Sequence, residues 1–277
     1  MPQDREQRQG ASGPAERTAT VGGRRVAYLD SGGPGPVLLA LHGHFGRGRI
    51  FAPLARALAG RYRLLAPDQR GHGRSDRADT YAPASYADDA AALLDALAIP
   101  SAAVLGHSMG GAVAFVLAAR APERVSALLV ADMTVLNREP EAHPVLDCST
   151  WPRRAVSRRA LGSAIEAHGV PDAGYFLDGA AAFDDGWGLL CDTGDMMASQ
   201  RAFAGDLSAW WRASGQPALL MRAEHSFMLS ERVARRMADA RPRTELVTFP
   251  GCGHWLYEDD PEGFARAVGG FLDRAVG

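Results

Sequence analysis

The chain contains no lysine; all thirty of its basic residues are arginine. That absence excludes a Schiff-base amine, a pyridoxal-phosphate enzyme and a Walker-type phosphate loop, each of which needs the lysine ammonium. Cysteine is scarce. Cys148, Cys191 and Cys252 are the only three, with no paired spacing, so neither a disulfide framework nor a zinc site is expected, and small apolar filler is the plainer reading. No run of eighteen apolar residues occurs, so no membrane span is expected. Excess charge is missing too: the formal net charge is −2 over 277 residues, without the basic surplus of a nucleic-acid binder. The first seventeen residues, Met1 to Arg17, are polar and lack an apolar h-region. They read as a flexible tail rather than a signal peptide, and the protein as cytoplasmic.

What is present is a β/α rhythm. Val21 to Tyr28 reads as two short strands around a glycine turn. Pro36–Leu41 and Tyr62–Ala66 are continuous apolar runs of buried-strand length, separated by helical spacing over Phe51–Leu58. A helix over Ser85–Ala98, a strand over Ala102–Leu105, a helix over Gly110–Arg120 and a strand over Val125–Ala131 continue the pattern. It breaks after Asp132 and resumes with a strand at Ala218–Met221, a helix at Glu231–Ala240, a strand at Thr244–Phe249 and a helix at Pro261–Ala275. Such alternation predicts an α/β fold, a mostly parallel sheet covered by helices on both faces. Residues 18–133 and 215–277 form its core. The intervening segment, 134–214, is too long for a plain loop and is expected to be a helical cap over the strand ends.

Gly106-His107-Ser108-Met109-Gly110 matches G-x-S-x-G between an apolar strand and a helix, the setting in which small residues permit a tight turn that exposes the serine hydroxyl. Leu41-His42-Gly43-His44-Phe45 follows one predicted strand, Asp68-Gln69-Arg70-Gly71-His72-Gly73-Arg74-Ser75 the next, and Gly251-Cys252-Gly253-His254 the last. With these stretches in this order, the chain resembles the α/β-hydrolase superfamily from about Val21 to Val276. The cap matches nothing specific.

The resemblance implies roles. Ser108 would be the nucleophile and His254 its general base, because a serine hydroxyl is barely nucleophilic until an imidazole takes its proton. The main-chain N–H groups of Met109 and His44 would form the oxyanion hole, with the His44 side chain a further candidate for touching substrate. His42 and His72 would belong to structural turns, while His107 and His225 are candidates adjacent to the site. In such enzymes the acid commonly falls in a Gly-x-x-Asp turn, here Arg222-Ala223-Glu224-His225-Ser226, with alanine for the glycine and serine where the aspartate would be. A variant arrangement puts the acid at the end of the preceding strand, which here is Asp132. Asp132 is therefore preferred and Glu224 is the alternative, with a plain turn role for Asp132 left open.

The cap aromatics, Tyr175, Phe176, Phe203, Trp210 and Trp211 among them, are expected mostly to pack the cap, a few lining an acyl pocket. Trp210, Trp211 and Trp255 are the candidates for substrate contact, and the arginines at 153–159 read as a solvated face. The expectation is a serine hydrolase acting on a carboxylic ester, lactone or thioester of an apolar small molecule through an acyl-enzyme. No cofactor and no metal are expected, and no nucleic-acid or membrane partner; a homo-oligomer stays open. A carbon–carbon bond hydrolase of β-diketones, a cofactor-free haloperoxidase or perhydrolase, and a triad-retaining small-molecule receptor are the competing readings. Epoxide hydrolysis and dehalogenation would need an aspartate at position 108.

Overall fold

Two glycines with positive φ, Gly22 and Gly23, turn strand β1 (Ala15–Val21) back onto β2 (Arg24–Asp30) as an antiparallel hairpin. The structure, a computed structural model, describes residues 13–276. Ala15, Glu16 and Arg17 belong to β1, paired with Asp30, Leu29 and Tyr28. The tail boundary at residue 17 is thus corrected; the rest of the expected tail, residues 1–12, lies outside the described residues. Polar composition misleads here because an edge strand shows one side to water while its backbone is still paired.

Beyond the hairpin, β3 (Val37–Leu41), α1 (Ala52–Ala57), β4 (Arg63–Pro67), α2 (Pro83–Ala96), β5 (Ala102–His107), α3 (Met109–Arg120) and β6 (Val125–Ala131) alternate as expected. In the central strands Leu39, Leu41 and Val104 bury on the face covered by α2 and α3, and Leu38, Ala40 and Leu105 on the opposite face with α1. This period of two with both faces apolar is what makes parallel strands read as continuous hydrophobic runs. The eight-stranded sheet has the order β1-β2-β4-β3-β5-β6 and ends in β11 (Ala218–Ala223) and β12 (Thr244–Phe249). From β4 onward every pairing is parallel. Helix α8 (Glu231–Asp239) links β11 to β12, and α9 (Leu256–Asp259) and α10 (Pro261–Ala275) follow β12, with Phe264, Val268 and Leu272 of α10 buried on the sheet face that carries α1.

The insertion between β6 and β11 is not wholly helical, which corrects the expectation. It carries β7 (Leu136–Asn137), α4 (Arg158–Glu166), α5 (Gly174–Asp178), β8 (Ala180–Phe183), β9 (Gly186–Leu189), α6 (Thr193–Phe203), β10 (Gly205–Asp206) and α7 (Ser208–Ala213). β8 and β9 form one two-stranded ribbon, and β7 and β10 a second, joining the two ends of the insertion. Helix α7 belongs to the core layer. Its Trp211 is buried edge-on against Phe115 of α3 at 6.1 Å, donates Nε1–H to Met237 O at 2.8 Å and lies under the Arg241 guanidinium at 4.5 Å. Trp211→Ala is therefore expected to cost about 3–5 kcal/mol of stability, as deletion of a buried aromatic does. Thermal melts should fall by on the order of 10 °C. An unchanged melting temperature would contradict that placement.

Candidate active site

Serine 108 sits where β5 hands over to α3, with φ 54° and ψ −126°, a left-handed backbone that strains any residue other than glycine. The neighbouring glycines explain how the turn fits. A Cβ on Gly106 would lie 2.0 Å from Gly110 O, and one on Gly110 would lie 2.1 Å from Leu41 O. Ser108 N–H donates to Ala131 O at 3.0 Å, tying the elbow to the end of β6.

Directly after that strand end comes Asp132, fully buried and also at positive φ. Its Oδ1 accepts from Ala223 N at 3.0 Å; its Oδ2 accepts from Ser226 Oγ at 2.7 Å and lies 2.8 Å from His254 Nδ1. An ionised carboxylate can only accept, so Nδ1 carries a hydrogen, and in the neutral imidazole that leaves the lone pair on Nε2. Of the two acids left open by the sequence, Asp132 is the one placed against His254. Glu224 is exposed, and its Oε2 accepts from Gly251 N at 2.7 Å, bracing the loop on which His254 stands. Serine 226, at the position where the commoner aspartate would fall, instead hydrogen-bonds the displaced carboxylate.

Aromatic rings fix the imidazole. The rings of Phe227, His107 and Trp255 lie 4.5, 4.6 and 5.4 Å from His254. His107 is buried and donates Nε2–H to His254 O at 2.9 Å; burial, then the adjacent His254, hold its pKa well below the usual histidine value and keep it neutral. His225 is exposed and does not line the cavity. Histidine 42 accepts from Gln69 N through Nε2 at 2.9 Å and meets Gly43 O through Nδ1 at 2.7 Å, and His72 Nδ1 meets Arg70 O at 2.9 Å.

The loop after β3 passes close to the elbow, since a Cβ on Gly43 would stand 3.0 Å from Ser108 Cβ. His44 follows on that loop, and Met109 opens α3. Ser108, Met109, His44 and His254 all line one cavity of about 290 Å³, at the carboxyl ends of the parallel strands, where ligands of such sheets bind. Trp255 lines it as well, and the insertion between β6 and β11 adds Tyr175, Phe176, Phe203, Val145, Leu146 and Val170. Trp210 and Trp211 do not reach it, because α7 turns them into the packing against α3, with Trp210 partly buried at that core. This corrects the expectation that they touch substrate. Sequence reasoning missed Phe227, Met133, Asn137, His143 and Gln200, which also line the cavity. Phe227 is 55% exposed on an irregular turn, where no periodicity could flag it. Among the described residues, no three His, Cys, Asp or Glu side chains are placed to hold a metal ion, and no helix is long and apolar enough to cross a membrane.

Comparison with known proteins agrees with this architecture. The model of the alpha/beta hydrolase family matches residues 37–267. The 2-(acetamidomethylene)succinate hydrolase of Mesorhizobium japonicum is 30% identical over 264 residues, covering 91% of this chain and 93% of its own. Esterase YbfF of Escherichia coli is 27% identical over 248 residues, covering 86% of this chain and 93% of its own. Among solved structures, an E-2-(acetamidomethylene)succinate hydrolase superposes with a TM-score of 0.82 at 28% identity, over 94% of this chain and 99% of that one.

Proposed function

The chain belongs to the alpha/beta hydrolase family, and on that premise we propose that it is a serine hydrolase cleaving a neutral, largely apolar carboxylic ester, lactone or thioester through an acyl-enzyme. The observation that carries the reading is the buried Asp132–His254 pair at 2.8 Å, opening onto the same apolar cavity as the strained Ser108 elbow. With Nδ1–H held by Asp132, Nε2 of His254 takes the proton as Ser108 Oγ attacks the carbonyl carbon. The carbonyl oxygen becomes an oxyanion that the His44 and Met109 N–H groups receive. Collapse expels the alcohol or thiol, which leaves with the proton from His254. Water, deprotonated by the same imidazole, then attacks the acyl-enzyme and releases the carboxylic acid and free Ser108.

The charge of the walls supports a neutral substrate. Among the described residues, no arginine lines the cavity. Burial, then His72, push the His44 pKa down to about 3, and His107 is likewise held neutral. His143, at the edge, already faces the Glu139 carboxylate. The relative from Mesorhizobium japonicum is named for a succinate, a dicarboxylate. A carboxylate entering this cavity would lose water and meet no arginine among the described residues, at a cost of several kcal/mol. Matched p-nitrophenyl esters test this: kcat/KM for the butyrate should exceed that for the monosuccinate by on the order of 100-fold. Equal values would overturn the neutral-substrate reading. No turnover of any ester, lactone or thioester in a panel of acyl lengths would overturn the function itself.

A further inference from the structure

We propose that Ser199 and Tyr175 of the cap are positioning residues for the oxyanion hole, so that the hole is complete only while the cap holds the loop after β3. The inference rests on the serine-hydrolase reading above. Ser199 lies on α6 and is fully buried. Its Oγ lies 2.9 Å from His44 Nε2, 2.8 Å from the hydroxyl of Tyr86 on α2 and 3.9 Å from Met109 Sδ. One cap hydroxyl thus touches the side chains of both residues whose N–H groups would receive the oxyanion. Tyr175 on α5 holds the same loop from a second direction, donating its hydroxyl to His44 O at 2.9 Å.

A buried serine inside a helix commonly spends its hydroxyl on its own i−4 carbonyl. Ser199 instead joins a cap helix to a core helix and to the loop beside the nucleophile. Because His44 is neutral, Nε2 is either donor or acceptor and never both, and the rotatable hydroxyls of Ser199 and Tyr86 can match whichever tautomer forms. The loop has little slack: a Cβ on Gly43 would meet Ser108 Cβ at 3.0 Å and Tyr175 Oη at 3.3 Å. Losing an anchor should therefore displace the His44 N–H relative to Met109 rather than loosen the cavity as a whole. The displaced group interacts with the transition state and not with a planar ground-state carbonyl, so the loss falls on kcat.

The test compares wild type with Ser199→Ala and Tyr175→Phe, using p-nitrophenyl butyrate, phenylboronic acid as a tetrahedral mimic, and butyramide as a planar one. Loss of a whole oxyanion donor costs about 10²–10³-fold and a misplacement of about 1 Å about 10²-fold. Each variant is expected to lose about 10–100-fold in kcat on that basis, with KM and butyramide affinity nearly unchanged and boronate affinity falling in parallel. A purely structural role would move KM, butyramide and melting temperature together. Tyr175→Phe removes one oxygen and keeps the ring against Phe176 and Trp255, so it carries the test should Ser199→Ala misfold. If wild type hydrolyses the ester while folded variants keep kcat and boronate affinity within about twofold, the positioning role is wrong. Absence of wild-type hydrolysis would instead overturn the underlying serine-hydrolase reading.

Discussion

Ser108→Ala is expected to lower kcat by about 10⁴–10⁶-fold, the loss typical when the nucleophile of a triad is removed, and to leave the fold intact. The hydroxyl contributes little to packing, because Ser108 is only partly buried and lines the cavity. What the elbow demands of position 108 is a backbone at φ 54°, and alanine meets the same strain as serine. Activity and stability should therefore separate cleanly, with far-UV circular dichroism and melting temperature close to wild type. More than about a tenth of wild-type activity in a folded variant is incompatible with a covalent serine mechanism of that size.

Asp132→Asn is expected to impair kcat by about 10⁴-fold, since an amide in place of the acid favours the wrong imidazole tautomer and withdraws the charge that stabilises its cation. Ala223 N–H, Ser226 O–H and His254 Nδ1–H all converge on that carboxylate. An asparagine can offer its oxygen to only part of this set, and its NH₂ would confront a donor. Glu224→Gln should be nearly silent in chemistry. Its contact is with Gly251 N, which an amide oxygen can still accept from, and the loss should stay within a few-fold. Paired kcat/KM values decide the matter, and a thousandfold loss in Glu224→Gln beside a near-normal Asp132→Asn would reverse the assignment.

The sheet was legible in the sequence because parallel strands buried on both faces must be apolar without interruption, as Val37–Leu41 and Ala102–Leu105 are. The elbow was legible for a steric reason: only glycine fits at 106 and 110, so the chemistry leaves a spacing that can be read. The choice between Asp132 and Glu224 was harder. It depends on the parallel register of β6 with β11, which brings Ala223 N–H to Asp132, and no local pattern records a register between strands ninety residues apart. The insertion between β6 and β11 was least legible. Trp211 packing α7 on α3 and Phe203 lining the cavity are both aromatics in one inserted segment, and residue type alone does not say which faces substrate. The start of β1 at Ala15 was hidden by edge-strand polarity.

The central claim is that Ser108 becomes covalently acylated during turnover. Wild-type protein mixed with p-nitrophenyl butyrate, quenched in acid during the steady state and mapped by peptide mass spectrometry, tests it directly. The account predicts a butyryl mass on the peptide containing Ser108, absent from Ser108→Ala, and more abundant when the quench precedes substrate exhaustion. Hydrolysis proceeding with Ser108 unmodified, or with the acyl group on another residue, would contradict it.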